Sequence, residues 1–360
     1  MPESVDDLLD KLDFGDIDSL LGALDSGGLE IFGFSSIVER IRAIATGEVK
    51  NDFGSVITYV LAILGVDVLK FLPMFLSVLA IILAYNIINS VKGKFASESV
   101  EKVVYFATGA IALCVVVGYF ANALASAVKF VASVKTQINM IAPILMTLMT
   151  ASGASASASV YTPSIAILGS GMTNAVTYLA FPALLMALVF DIIGSISTSV
   201  KLDKTAEFFR SACKWFLGTA FFLFIAVIGV SGITASVRDG VSVRAAKFAM
   251  SKYVPVIGGY LSQGFDFIMA GNVLIKNALG STAVILILLT VIPVVAELAV
   301  FTLTLKLTAA IAQPLGGDKF SNALTSMAKS SSTVAAVVVA MAFLYILFLS
   351  MIICTGNVGL

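Results

Sequence analysis

The chain has 360 residues, 59% hydrophobic and 12% charged, with 22 basic and 22 acidic side chains and no histidine. A soluble globular chain carries about 25% charged residues; the deficit here falls in uncharged runs longer than the ~20 apolar residues that cross a hydrocarbon layer, which a soluble bundle does not need. Zero net charge supplies no general field for nucleic acid, and the missing histidine excludes His-dependent triads and His-ligated zinc.

Residues 1–34 read as an acidic polar arm, with Asp6, Asp7, Asp10, Asp13, Asp16, Asp18 and Asp25 against the single base Lys11. Leu8, Leu9, Leu12 and Phe14 form at most one amphipathic turn in it. A basic start followed by an apolar stretch would mark a secretory leader, and neither is visible here. Ile37, Ile41 and Ile44 with Glu39, Arg40 and Arg42 predict an amphipathic helix, and Val56 to Leu64 is apolar but short, hence interfacial or partly inserted. Six spanning helices are then predicted: Phe71–Ile88, Val103–Leu124, Thr173–Phe190, Trp215–Ala235, Ser281–Leu305 and Thr333–Ile353. Two further apolar regions contain helix breakers. Ile138–Gly169 holds Pro143, the small-residue run Ala151–Ser159 and Pro163; Val254–Leu279 holds Pro255, several glycines, Asp266 and Lys276. Both read as broken or re-entrant hairpins, which persist at membrane depth only where protein or water satisfies the backbone. The fold class is all-α, a polytopic integral membrane protein.

Pro73, Pro182 and Pro293 stand about 110 residues apart, each in or at the start of a span that is followed by a basic loop and another span. Pro143 and Pro255 are separated by nearly the same interval. These coincidences predict three tandem units after the arm, at 35–135, 136–240 and 241–360, each with two spans and, in the second and third, a broken hairpin. An even number of crossings per unit makes the repeats parallel; one crossing per broken region would invert alternate units. Basic residues nearly balance on the two sides, so the positive-inside rule leaves the orientation open.

Asp191 and Glu297 lie at or inside spans, where a carboxylate costs about 2.5–3.5 kcal/mol at a helix centre. Such groups face the protein interior or a water-filled path. They are candidate pathway residues, or else structural partners, with Lys276 an available mate for Glu297. Lys276 and Asn174 complete the set of intramembrane polar candidates. Ala151–Ser159 suits either close backbone approach or a loop. Ser242–Ala249 reads as a basic amphipathic helix with Arg244 and Lys247 one turn apart, fit for headgroups or a protein partner. Cys114, Cys213 and Cys354 are far apart and show no metal-ligand spacing. No phosphate-binding loop is present, since the glycines after Pro255 lack the required lysine. No catalytic residue, cofactor or metal is therefore expected.

The segment Ser242-Val243-Arg244-Ala245-Ala246-Lys247-Phe248-Ala249, followed by Val254-Pro255-Val256-Ile257-Gly258-Gly259-Tyr260-Leu261-Ser262 and Leu274-Ile275-Lys276-Asn277-Ala278-Leu279-Gly280, strongly resembles the stage III sporulation protein AE family. The resemblance extends over most of the chain from about residue 35. It implies a membrane component of the channel or transport apparatus that links mother cell and forespore, needed for late forespore development, in the mother-cell membrane surrounding the forespore. Implied partners are the other stage III proteins, including a secretion-type ATPase, ring-forming proteins and a forespore-side channel protein. Two roles stay open: a conduit for small molecules, or a non-transporting scaffold that anchors the other stage III proteins and their ATPase. Family members often carry a cleavable leader, and the family provides no catalytic residues to transfer.

Overall fold

A computed structural model describes Gly15 and residues 36–47, 53–92, 98–196, 202–253, 258–315 and 318–355. The acidic arm, apart from Gly15, and Val254–Ile257 of the second expected hairpin lie outside the described residues. Among the described residues there is no strand; helices and short turns make up the whole.

The short α1 (Ile37–Thr46) begins at Ser36, whose hydroxyl accepts from Glu39 N at 3.1 Å, and stops at Gly47 in the left-handed region. Next come α2 (Phe53–Lys92) and α3 (Glu98–Ala151), of 40 and 54 residues. The helix α4 runs without interruption from Ser155 through Ile196, then α5 (Asp203–Tyr253), α6 (Gly258–Ala312) and α7 (Asp318–Cys354) follow, of 51, 55 and 37 residues. Each of the six from α2 to α7 is long and apolar enough to cross a membrane, and each contains one of the six expected spans.

The helices exceed those spans. At 1.5 Å per residue α3, α5 and α6 are about 80 Å long, far more than the ~30 Å hydrocarbon layer. Asp67 and Lys70, which precede the first expected span, are inside α2, so the short apolar piece from Val56 belongs to the same helix. The expected break in Ile138–Gly169 is confined to residues 152–154. There Gly153 has φ +82°, a conformation open to glycine at no steric cost, and its Cα packs toward Val243 and Met269. Pro143 and Pro163 sit within helices on either side. From Gly258 on, the second such region is continuous α6 as far as Leu279 and beyond.

Proline inside a helix deletes one backbone hydrogen bond and crowds the preceding turn. In α4 the chain accommodates this by two π-helical stretches, Ile167–Met172 and Val176–Ala180, between Pro163 and Pro182. The Thr173 hydroxyl donates to Gly169 O at 2.5 Å and so occupies one carbonyl in the loosened ladder.

The core is the α6–α7 antiparallel hairpin. Half of its membrane-crossing window is buried on each helix, against about a quarter for α2, α3 and α5, which surround it. Gly280 lets α7 come close: a methyl group there would meet Ile353 at 2.5 Å. The ends of α2, α4 and α6 gather on one face. Tyr85 and Tyr105 pack edge-on and tilted around Phe320, and the Tyr105 hydroxyl donates to Ser195 O at 3.2 Å. The α3–α4 turn meets α5 and α6 at the opposite face, where Asn272 donates to Ala151 O.

Candidate functional site

Polar side chains inside a lipid-embedded bundle are costly unless they find partners. Here they gather into four nodes at different heights along the bundle.

The lowest joins α4, α5 and α7. Arg210 Nη1 donates to Asp191 Oδ2 at 2.5 Å and to Ser330 Oγ at 3.1 Å, while Ser330 Oγ lies 3.2 Å from the same carboxylate oxygen. All three residues are buried. One guanidinium meets one carboxylate, so the charge balances, although Asp191 Oδ1 has no hydrogen-bond partner in the chain. The neighbouring Thr302 donates across α6 and α7 to Ser331 at 2.8 Å, hydroxyl to hydroxyl.

A second node lies between α2 and α6. Lys70 Nζ donates to Glu297 Oε1 at 2.5 Å. Asp67, one turn before Lys70, is 8% exposed and feels the charge of both. Its Oδ2 is buried without a hydrogen-bond partner. Phe71, Tyr119, Phe120 and Phe301 pack as rings just beneath. An apolar groove of ≈ 520 Å³ adjoins the node, walled by Val60 and Leu64 of α2, Val295 and Ala299 of α6, and Ala342 and Phe343 of α7.

The third node joins α4, α6 and the end of α7. Lys276, wholly buried, donates to Ile353 O at 3.2 Å and to Thr355 O. An ammonium placed at the last carbonyls of α7 answers the negative end of that helix. The Thr355 hydroxyl pairs with Tyr161 OH at 3.0 Å, and the hydroxyl end of Tyr161 comes against Gly232 of α5, where any side chain would collide with it.

At the top, Asp239 of α5 caps α4: its two carboxylate oxygens accept from Ala156 N at 2.8 Å and Ser157 N at 2.9 Å. Higher still, Lys247 and Asp266 pair at 2.5 Å between α5 and α6.

The expected pathway residues do not converge. Lys276 and Glu297 are 21 positions apart on one helix, hence separated by about 30 Å. Glu297 takes Lys70 as its partner rather than Lys276, because α2 supplies a cation at its own level. Asn174 is exposed on α4 and accepts from Lys135 at 3.5 Å, so it looks outward between the two π-helical stretches. Of the proposed surface pair, Arg244 is exposed, whereas Lys247 is held by Asp266. Sequence reasoning missed Asp67, Lys70, Arg210 and Asp239. The i, i+3 spacing of Asp67 and Lys70 within a hydrophobic stretch was a usable signal. For Asp239, whose partners are 82 and 83 residues away, there was none.

Comparison with known proteins adds a single, consistent result. The family model described as stage III sporulation protein AE matches residues 35–356. The stage III sporulation protein AE of Bacillus subtilis (strain 168) is 27% identical over 272 residues, covering 75% of this chain and 68% of the relative. No solved structure matches.

Proposed function

The chain belongs to the stage III sporulation protein AE family, and from that premise we propose that this multi-pass membrane protein is the membrane scaffold of the apparatus linking mother cell and forespore. Its place is the mother-cell membrane surrounding the forespore. Its partners there are the other stage III proteins: ring-forming proteins, a secretion-type ATPase and a forespore-side channel protein. The observation that carries this reading is the length of the α5–α6 hairpin. Both helices far outrun the bilayer, and Asp239 and the Lys247–Asp266 pair stiffen the projecting part. Arg238 and Arg244 are exposed on it, ready for an acidic partner. The polar nodes support the same reading, since most of their groups bind one another across helices and brace the bundle. Charge reversal at Arg238 and Arg244 is expected to release the ring-forming proteins in a pull-down from sporulating cells without lowering membrane abundance. Unchanged co-purification would remove the docking role.

A second reading, a conduit for small molecules assembled between copies, is favoured by the Asp67–Lys70–Glu297 node, which is not fully enclosed: the Lys70 side chain is 44% exposed. The three tandem units expected from the proline spacing would fit both readings. Pro73, Pro182 and Pro293 fall in α2, α4 and α6, which run in the same direction. On the conduit reading Glu297→Gln blocks sporulation while partner pull-down is kept; normal sporulation of that variant would end it.

A further inference from the structure

We propose that Asp67, Lys70 and Glu297 form a proton-binding site inside the bundle, with Asp67 as the residue that holds the proton. The argument begins with charge. Two carboxylates and one ammonium sit at one level between α2 and α6, and Lys70 donates to only one of the two acids, Glu297. If every group were ionised the node would hold one uncompensated negative charge. In a buried, lipid-embedded setting such a charge must be cancelled by a proton or by a bound cation.

The geometry assigns the proton to Asp67. Glu297 already accepts from Lys70, whereas Asp67 Oδ2 is buried without a hydrogen-bond partner. The cation position beside the carboxylates is filled by the Lys70 ammonium, which leaves a proton as the ion that needs no room. Lys70 and Glu297 are the charged groups that act on Asp67. The flanking helix α3 has no charged residue between Lys102 and Lys129, and its titratable neighbour at this height is Tyr119, whose ring meets Phe71 at a tilt. The helix α1, packed on α6, brings the buried Arg40.

The site has a route of exchange and a means of response. The Lys70 side chain is part exposed, so the node is not sealed, while its ammonium touches Glu297. Val60 and Leu64, which line the apolar groove, precede Asp67 and Phe71 on the same face of α2. When Asp67 loses its proton, the ammonium has two carboxylates to serve. The α2–α6 contact, and the groove it walls, then change with it.

Infrared difference spectroscopy of the full chain in lipid nanodiscs tests the site. At neutral pH a carboxylic C=O band that shifts on deuteration is expected in the wild type and is expected to vanish in Asp67→Asn. Glu297→Gln provides an independent arm should Asp67→Asn fail to insert. With its competitor removed, Lys70 becomes the partner of Asp67, which ionises, and the band is again lost at neutral pH. A wild type without the band, or a band that survives both substitutions, overturns the proposal. So does a band governed by sodium concentration instead of pH, which would make the node a metal-cation site.

Discussion

The Asp191 node and the Asp67 node are built from similar parts at different balance. At Asp191 one carboxylate faces one guanidinium, both shut away among α4, α5 and α7, with Ser330 bonded to each. At Asp67 two carboxylates stand beside one ammonium, which bonds only Glu297 and whose side chain is part exposed. The first arrangement has a single sensible protonation state and ties three helices. The second has more than one state and ties two. Charge count, more than burial, separates a brace from a responsive site.

Breaking the brace has the largest expected effect. Arg210→Ala leaves Asp191 charged and unpaired, a loss of about 3–5 kcal/mol, visible as a lower unfolding temperature in detergent and lower membrane abundance. Replacing both partners with apolar residues, Asp191→Leu with Arg210→Met, is expected to recover most of it, since an absent pair costs less than half a pair. Lys276→Met ranks next, at about 1–3 kcal/mol, because the last carbonyls of α7 lose their buried donor. Proteolysis at the end of α7 would report it. Asp239→Ala removes a cap and is expected to cost about 0.5–2 kcal/mol, localised as faster amide exchange at Ala156 and Ser157. Lys70→Met is the smallest of the four, at about 0–1 kcal/mol, since the Lys70 side chain is part exposed and a proton on Glu297 can replace the ammonium. A loss at Lys70 as large as that at Arg210 would erase the contrast between the two nodes.

The six crossings were legible because uncharged runs of spanning length leave little alternative. Their true lengths were not. Lys129 and Lys135 look like the close of a span, yet α3 continues helically through both to Ala151, since a helix needs no apolar surface once it leaves the lipid. Pro143 reads as a breaker, but α3 runs on through it to Ala151, and the Thr147 hydroxyl, one turn on, donates to the Pro143 carbonyl at 3.0 Å. The intramembrane acids Asp191 and Glu297 stood out by cost alone, and both prove to be buried and paired. Their partners did not stand out. Lys70 is 227 positions from Glu297 and Ser330 is 120 from Arg210; no local period encodes such meetings. Arg210 looks like an ordinary basic residue of a loop until α5 is seen to begin at Asp203 and carry it inward.

The gathering of the ends of α2, α4 and α6 on one face has a consequence for biogenesis. Each of the pairs α2–α3, α4–α5 and α6–α7 enters the bilayer from the opposite face as a hairpin and returns to it. The start of α2, the α3–α4 turn and Thr355 therefore share a compartment. In chain order α4 and α5 follow α2 and α3 and precede α6 and α7. The Asp191–Arg210 brace can close only once α5 is in place, and Ser330 reaches it only with α7, the last helix, so completion of the bundle is recorded at that one node.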